Sequence, residues 1–230
     1  MINETLKLKI NNLHFHFHKF GGLYIEEHDI LIISDLHFGK GISFLKMGYS
    51  LPPFDANDTL YKLETVINFF LPKKVISLGD NFHEKNSFLK INKETIIQIN
   101  MLAKKFNFLW ITGNHDYNLE KSRIYGEIKK QFMMKNLIFK HIFTKLIKKK
   151  KFEFSGHFHP KFSQKYNGVY YNYKCFVLGN NFCILPSFGT YTGGLDISSN
   201  ELKKILNGHK IELIIIGERK IIKRRFNDTN

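Results

Sequence analysis

The chain has little cysteine, little arginine and no long apolar run, and each shortage closes off a class of protein. Cys175 and Cys183 are the only cysteines among 230 residues. That is too few for the disulfide framework of a small secreted domain. They could be neighbours across a hairpin, and reduced thiols are the expected state. No apolar run approaches the roughly 18 residues that a membrane span needs. The N-terminus has no apolar h-region of the signal-peptide kind, so the expectation is a cytoplasmic protein with no membrane partner. Acidic residues are also scarce: 35 Lys and Arg stand against 20 Asp and Glu, for a formal charge of +15 and a pI of about 9.6. Such an excess favours a polyanionic partner. The basic residues are nearly all lysine, with Arg123, Arg219, Arg224 and Arg225 the exceptions. Abundant Lys, Asn, Ile and Phe is also what an AT-biased genome yields, so composition leaves both readings open.

At this length one α/β domain is expected, taken here as 1–226, with a disordered tail over 227–230. Leu6, Leu8 and Ile10 alternate with lysines as in a half-buried strand. Leu13, Phe15 and Phe17 then alternate with His14, His16 and His18; three histidines on one face could bind a metal, but more often form the solvated side of an outer strand. Apolar spacing predicts helices over 58–70, capped by Asn57 or Asp58, and over 93–105, capped by Asn92. A further helix is expected within 118–135 and a strand over 136–143. Short strands follow at 169–173, 175–178, 182–185, 211–216 and 220–225. Helices between strands, then hairpins, suggest two sheets with helices outside.

The chemistry collects at the ends of apolar strands. Ile30-Leu-Ile-Ile33 reads as a strand buried on both faces and ends in Asp35 and His37. Val75–Leu78 ends in Gly79-Asp80, and Phe108–Thr112 in Gly113-Asn114-His115-Asp116. Phe152–Ser155 ends in Gly156-His157-Phe158-His159, and a lone His141 follows Leu137–Lys140. Open α/β sheets bind ligands outside the carboxyl ends of their strands, so these tips can converge. Oxygen and nitrogen donors without thiolate suit Mn²⁺, Fe or Zn²⁺.

This ordered set resembles the calcineurin-like metallophosphoesterase superfamily, from about Ile30 to Gly194. The resemblance implies a four-layer α/β/β/α sandwich and two divalent metals, most naturally Mn²⁺ or else Fe or Zn²⁺. It makes Asp80 the bridging ligand, with Asp35, His37 and His159 completing one site and Asn114, His141 and His157 the other. A hydroxide between the metals would attack phosphorus. His115, beside a ligand without being one, would be the general acid, its imidazole held by Asp116. Lys40 could meet a phosphate as a point charge, and His83 could touch the substrate or stack on a ligand.

Three segments look like the bacterial ligase-associated DNA damage response endonucleases. They are Asp35–Lys40 with Phe44, Gly48 and Pro52; Gly156–Pro160; and Leu185-Pro-Ser-Phe-Gly-Thr-Tyr-Thr-Gly-Gly-Leu195. The last could be a phosphate-binding amide nest or a tight packing turn. That family usually has Arg after the Phe at position 44; here Leu45 stands there and Lys46 follows, replacing it only in part. The resemblance implies cleavage of DNA phosphodiesters in repair, alongside an ATP-dependent DNA ligase and a helicase. The lysines at 145 and 148–151 could track a nucleic-acid backbone or form a solvated loop. Alternatives are a phosphatase or small-nucleotide phosphodiesterase of the same superfamily and, from another class, a non-catalytic scaffold on this fold. No metal-motif position is missing, which counts against the scaffold.

Overall fold

Alternation decides where each strand's side chains go. In Ile30–Ile33, Ile30 and Ile32 enter one core and Leu31 and Ile33 another, and all four are buried. A strand buried on both faces must lie inside a layered structure, and it does. The computed structural model describes residues 4–46, 48, 54–84, 87–116, 119, 124–144 and 150–226, with the side chains of residues 46, 87 and 89 not described.

The first sheet holds β1 (Thr5–Ile10), β2 (Leu13–His18), β3 (Leu23–Ile25), β4 (Ile30–Ile33), β5 (Lys74–Ser77), β6 (Leu109–Ile111) and β7 (Glu127–Lys129), in that order. β1 to β4 are antiparallel neighbours, and β4 to β7 are parallel. The second sheet draws on β8 (Gln131–Met134), β9 (Leu137–Lys140), β10 (Phe152–Ser155), β11 (Lys161–Tyr166), β12 (Val169–Leu178), β13 (Phe182–Ile184), β14 (Ile211–Ile216) and β15 (Ile221–Phe226). Its order is β15-β14-β12-β13-β10-β9-β8, with β11 pairing β12 off that path.

Phe15, Ile32, Ile76, Phe139, Phe154 and Phe176 fill the core between the sheets. The helices are α1 (Lys40–Lys46), α2 (Asp55–Phe70), α3 (Ser87–Lys90), α4 (Lys93–Lys105) and α5 (Asn200–Leu206). Leu60, Leu63, Val66 and Ile67 of α2, with Ile99 and Ala103 of α4, cover the outer face of the first sheet. Burying each leucine there contributes about 1.5–3 kcal/mol. Leu202 and Leu206 of α5 cover Val177, Ile184 and Leu213 on the outer face of the second. The layers are therefore α/β/β/α, as the sandwich reading requires.

Several expectations shift. α2 begins at Asp55, ahead of the expected Asn57 or Asp58 cap, and Leu71 in the left-handed region stops it before Pro72. The Asn92 cap of α4 holds: its side chain accepts from Thr95 N at 2.7 Å. Among the described residues, 124–135 form β7 and β8, not a helix. Lys129 pairs with Glu127 on the exposed side of β7, while Phe132 and Ile128 face inward. The strands expected at 169–173 and 175–178 are one continuous β12, and β11, α1 and α5 went unforeseen. Cys175 and Cys183 are buried free thiols, and Cys183 faces Leu178 across the β12–β13 ladder. The expected tail and the lysines at 145 and 148–149 lie outside the described residues.

Candidate metal centre

β4, β5 and β6 of one sheet and β9, β10 and β13 of the other end at the same edge of the sandwich. Their pairing continues past the strands: Asp35 N donates to Gly79 O, His37 N to Asp80 O and Phe38 N to Asn81 O. The chain then bends sharply. Asp35, His37, Asp80, His157 and His159 all have left-handed backbone, with φ of 53°, 45°, 48°, 72° and 45°. Non-glycine residues rarely take that region, which costs of order 1–3 kcal/mol each and persists only where the surroundings enforce it. Adjacent glycines make the room. A Cβ on Gly79 would fall 2.4 Å from Nδ1 of His141, and one on Gly156 1.7 Å from Oγ of Ser34.

Two groups of donors result. In the first, His159 Nε2 lies 3.2 Å from Asp35 Oδ1 and 3.4 Å from His37 Nε2. In the second, His141 Nε2 lies 3.3 Å from Asp80 Oδ2 and 3.2 Å from His157 Nδ1. Asp80 Oδ2 is also 3.9 Å from His37 Nε2, so this carboxylate spans both groups.

These residues fit a bound cation. His141 Nδ1 donates to Leu78 O at 2.8 Å, so a neutral ring turns a lone pair at Nε2 toward the Asp80 oxygen and His157 Nδ1. In the His157 tautomer that also turns a lone pair inward from Nδ1, three acceptors that close repel unless a cation sits among them. A proton meets that need in part: burial pushes the His141 pKa down, but the hydrogen bond that the ring donates to Asp80 and the charge of Asp35 outweigh it and leave it raised. Divalent metals would meet it fully. Burial instead holds His37 neutral, with its pKa lowered to about 3. Burial would also raise the pKa values of Asp35 and Asp80, but His159 overcomes it for Asp35 and His141 for Asp80, so both carboxyls stay ionised. Ser34 Oγ donates to Asp35 Oδ2 at 2.5 Å, and the His157 amide donates to the same carboxylate.

The remaining expected residues divide. His115 overhangs the centre. Its amide donates to Asp80 Oδ1 at 2.9 Å, its Nε2 lies 4.0 Å from Asp80 Oδ2, and its side chain is 45% exposed. His83 stacks on it, with ring centroids 5.6 Å apart and 14° between planes, and its pKa falls to about 4 through burial and the charge of Lys40. Asn114 sits in the exposed turn before His115. Lys40 is half-buried, and burial lowers its pKa, with Lys161 adding to the effect. Lys46 ends α1, and its side chain is outside the described set.

Asp116 is a correction. Its carboxylate accepts from Gly113 N, Asn81 N, Asn81 Nδ2 and Phe82 N. It ties the β6 turn to the β5 turn; its described bonds include none to the His115 ring. Burial raises its pKa against those donors.

Three supporting features carried no sequence signal. Asn81 is fully buried, accepts from Ser77 Oγ at 2.5 Å and donates to Ile111 O at 2.9 Å. Ser34 is the second. The third is Lys174, whose ammonium donates to Ser187 O at 2.6 Å and Gly189 O at 3.0 Å, its pKa lowered by burial to about 7. Those carbonyls belong to the Leu185–Leu195 segment, whose Phe188 and Gly189 amides donate to Ser34 O and Asp35 O. Of the two readings of that segment, these bonds support the packing turn, because they spend its amides on the loop that carries Asp35.

No curated protein gives a significant match to the chain. Among solved structures, the Pseudomonas putida nuclease MPE superposes with a TM-score of 0.68 at 19% identity, covering 91% of this chain and 96% of that one. The phosphoesterase YfcE of E. coli gives a TM-score of 0.46 at 12% identity, over 86% of this chain and 99% of that one. The first likeness shows the fold. A profile of the calcineurin-like phosphoesterases matches residues 28–217, which includes every strand tip described above. With most of its length matched by that profile, the chain belongs to the calcineurin-like phosphoesterase family and is a metal-dependent phosphoesterase.

Proposed function

We propose that the protein is a two-metal phosphodiesterase that cleaves DNA, acting in repair in the cytoplasm beside an ATP-dependent ligase and a helicase. One observation carries the catalytic part: Asp80 spans two donor groups, one of Asp35, His37 and His159, the other of Asp80, His141 and His157, beneath an exposed His115. Asn114, at the rim, would add a neutral oxygen to the second group. Bound Mn²⁺, Fe or Zn²⁺ would supply an activated water at neutral pH and positive charge for the phosphoryl oxygens. The chain's own part is to hold those donors and to manage the leaving group. His115 is the general acid, giving a proton from its ring to the departing oxygen. Its stacking on His83, not Asp116, keeps the ring over Asp80. Lys40 offers a cation to a phosphate oxygen.

Two features favour DNA over a small diester. The centre opens to solvent at His115, and the net charge is +15. A nuclease with this fold, and the ligase-associated pattern of Asp35–Lys40, Gly156–Pro160 and Leu185–Leu195, support the same substrate. The test is metal-stripped protein reloaded with Mn²⁺ and assayed on bis(p-nitrophenyl) phosphate and on labelled single- and double-stranded DNA. DNA cleavage that requires Mn²⁺ is the expected result. Diester turnover without DNA cleavage would assign a small substrate instead.

A further inference from the structure

The β11–β12 hairpin leaves the second sheet right after the last candidate ligand, His159. β12 pairs with β13 and β14 only over Cys175–Leu178; from Val169 to Lys174 its partner is β11. The outer half of the hairpin therefore projects from the body. Alternation sorts its side chains. Phe176 and Leu178 face the core between the sheets, so Lys174, Asn172 and Tyr170 follow on that side, with their cross-strand partners Lys161, Ser163 and Lys165. Phe162 and Tyr173 lie on the other side, packed toward Val177 and Leu213, with the Arg224 guanidinium 5.1 Å from the Phe162 ring.

The first of these sides adjoins the metal centre. Lys174 holds the Ser187 and Gly189 carbonyls below Asp35. Lys161 packs on Gly194, where a Cβ would lie 2.2 Å from His159 O and 3.0 Å from Lys161 Cε. From Lys161 to Lys165 the strand runs about 13 Å, the length of about four nucleotides of a stacked single strand at about 3.4 Å each. At its end Tyr170 is 66% exposed, with Lys165 Nζ 5.3 Å from its ring centroid. Elsewhere lysines are neutralised in pairs such as Lys7–Glu26, Lys140–Glu153 and Lys223–Glu212. Among the described residues, none of Lys161, Lys165 and Lys174 forms an ion pair with a carboxylate. Asp196, beside Ser163, accepts from the amide and hydroxyl of Ser198.

We propose that this side of the hairpin is a track for a nucleic-acid strand leaving the metal centre, with Lys161 and Lys165 on its phosphates and an unpaired base stacked on Tyr170. The assignment rests on the DNA reading above and adds where the strand lies. Acid-free cations give a sequence-independent, salt-sensitive grip, and an exposed tyrosine gives a stacking face that any unpaired base can use.

The test is fluorescence anisotropy of a labelled single-stranded 12-mer with metal-stripped protein, so that the strand stays intact, together with Mn²⁺-dependent turnover of bis(p-nitrophenyl) phosphate. Tyr170→Ala should weaken binding about tenfold, and Tyr170→Phe should restore it. Lys165→Ala should lower the salt slope by about 0.7, and all three should leave diester turnover unchanged. Lys104→Ala, on α4 in the outer layer of the other sheet, is the charge control. Equal losses from Lys104→Ala and Lys165→Ala, or unchanged affinity in Tyr170→Ala, would overturn the track while leaving the nuclease reading standing. A wild-type protein that turns over the small diester but does not bind the 12-mer would overturn both.

Discussion

Two stretches of this chain are rich in histidine, and they meet opposite fates. In β2, His14, His16 and His18 alternate along a regular strand. His14 pairs with Glu27 at 2.6 Å and His16 with Glu26 at 2.8 Å. His18 is buried against Phe20, Phe69 and Phe70 and accepts from Phe20 N. Each imidazole has its own partner and none shares a donor with another. At the strand tips, His37, His141, His157 and His159 turn their ring nitrogens toward one another around Asp35 and Asp80. The residue type is the same; the backbone differs. A straight strand spreads its side chains along a line, whereas left-handed turns at His37, His157 and His159 fold them back over the strand ends. Histidine density alone is therefore a poor guide to a metal site.

That contrast can be broken from either side. The largest effect should come from Asp80→Asn, which removes the charge shared by both donor groups. Metal content by elemental analysis and Mn²⁺-dependent diester turnover should both fall more than about 100-fold, beyond the loss typical of an outer-shell partner. Retained metal and rate would remove Asp80 as the bridge. Next comes His115→Ala, which should keep its metal and lose about 10²–10⁴ in kcat, most with poor leaving groups. An equal loss on p-nitrophenyl and alkyl esters would argue against an acid role.

His18→Phe probes the other stretch and should act on stability. Burial lowers the His18 pKa to about 4, so the folded state binds fewer protons than the unfolded state between there and about 6.5. His18 therefore costs no stability above about pH 6.5, and stability drains away as pH falls toward 4, by up to about 3 kcal/mol. The variant should flatten that part of the acid-unfolding curve, measured by urea titration at several pH values, with turnover at pH 7 unchanged. The smallest effect belongs to His14→Gln with His16→Gln. Their partners are solvent-exposed glutamates, so metal content, turnover and melting midpoint should all stay near wild type.

The parts that could be read in advance share a local cause. β10 carries Phe152 and Phe154 and stops at Gly156, β14 is apolar but for Glu212 and stops at Gly217, and α4 carries its own cap in Asn92, so their limits needed no distant partner. β7 and β11 were missed because Glu127 and Lys129 in the first and Gln164 and Lys165 in the second are exposed polar residues, which leaves little apolar period to see. β8 was folded into a helix expectation because Phe132 and Met134, its inward pair, sit next to Met133 on the exposed side. α5 has a serviceable cap in Ser199 but only about two turns behind it.

The sequence by itself determined which donors stand at the ends of which strands. That information is local: an apolar run specifies a buried strand, and the Asp, Asn or His after it marks the tip. Only the tertiary structure decided how the donors are shared. His159 meets His37 across 122 residues of chain, and His157 turns to His141 while its amide serves Asp35. Asp116 binds the Asn81 turn 35 residues away and not the ring of its neighbour His115. Neighbours in sequence point apart in a turn, and the unpaired amides of Asn81 and Phe82 were the stronger claim on a buried carboxylate. Those allegiances depend on two sheets packed with their parallel strands ending at one edge, a fact that no single segment of the chain contains.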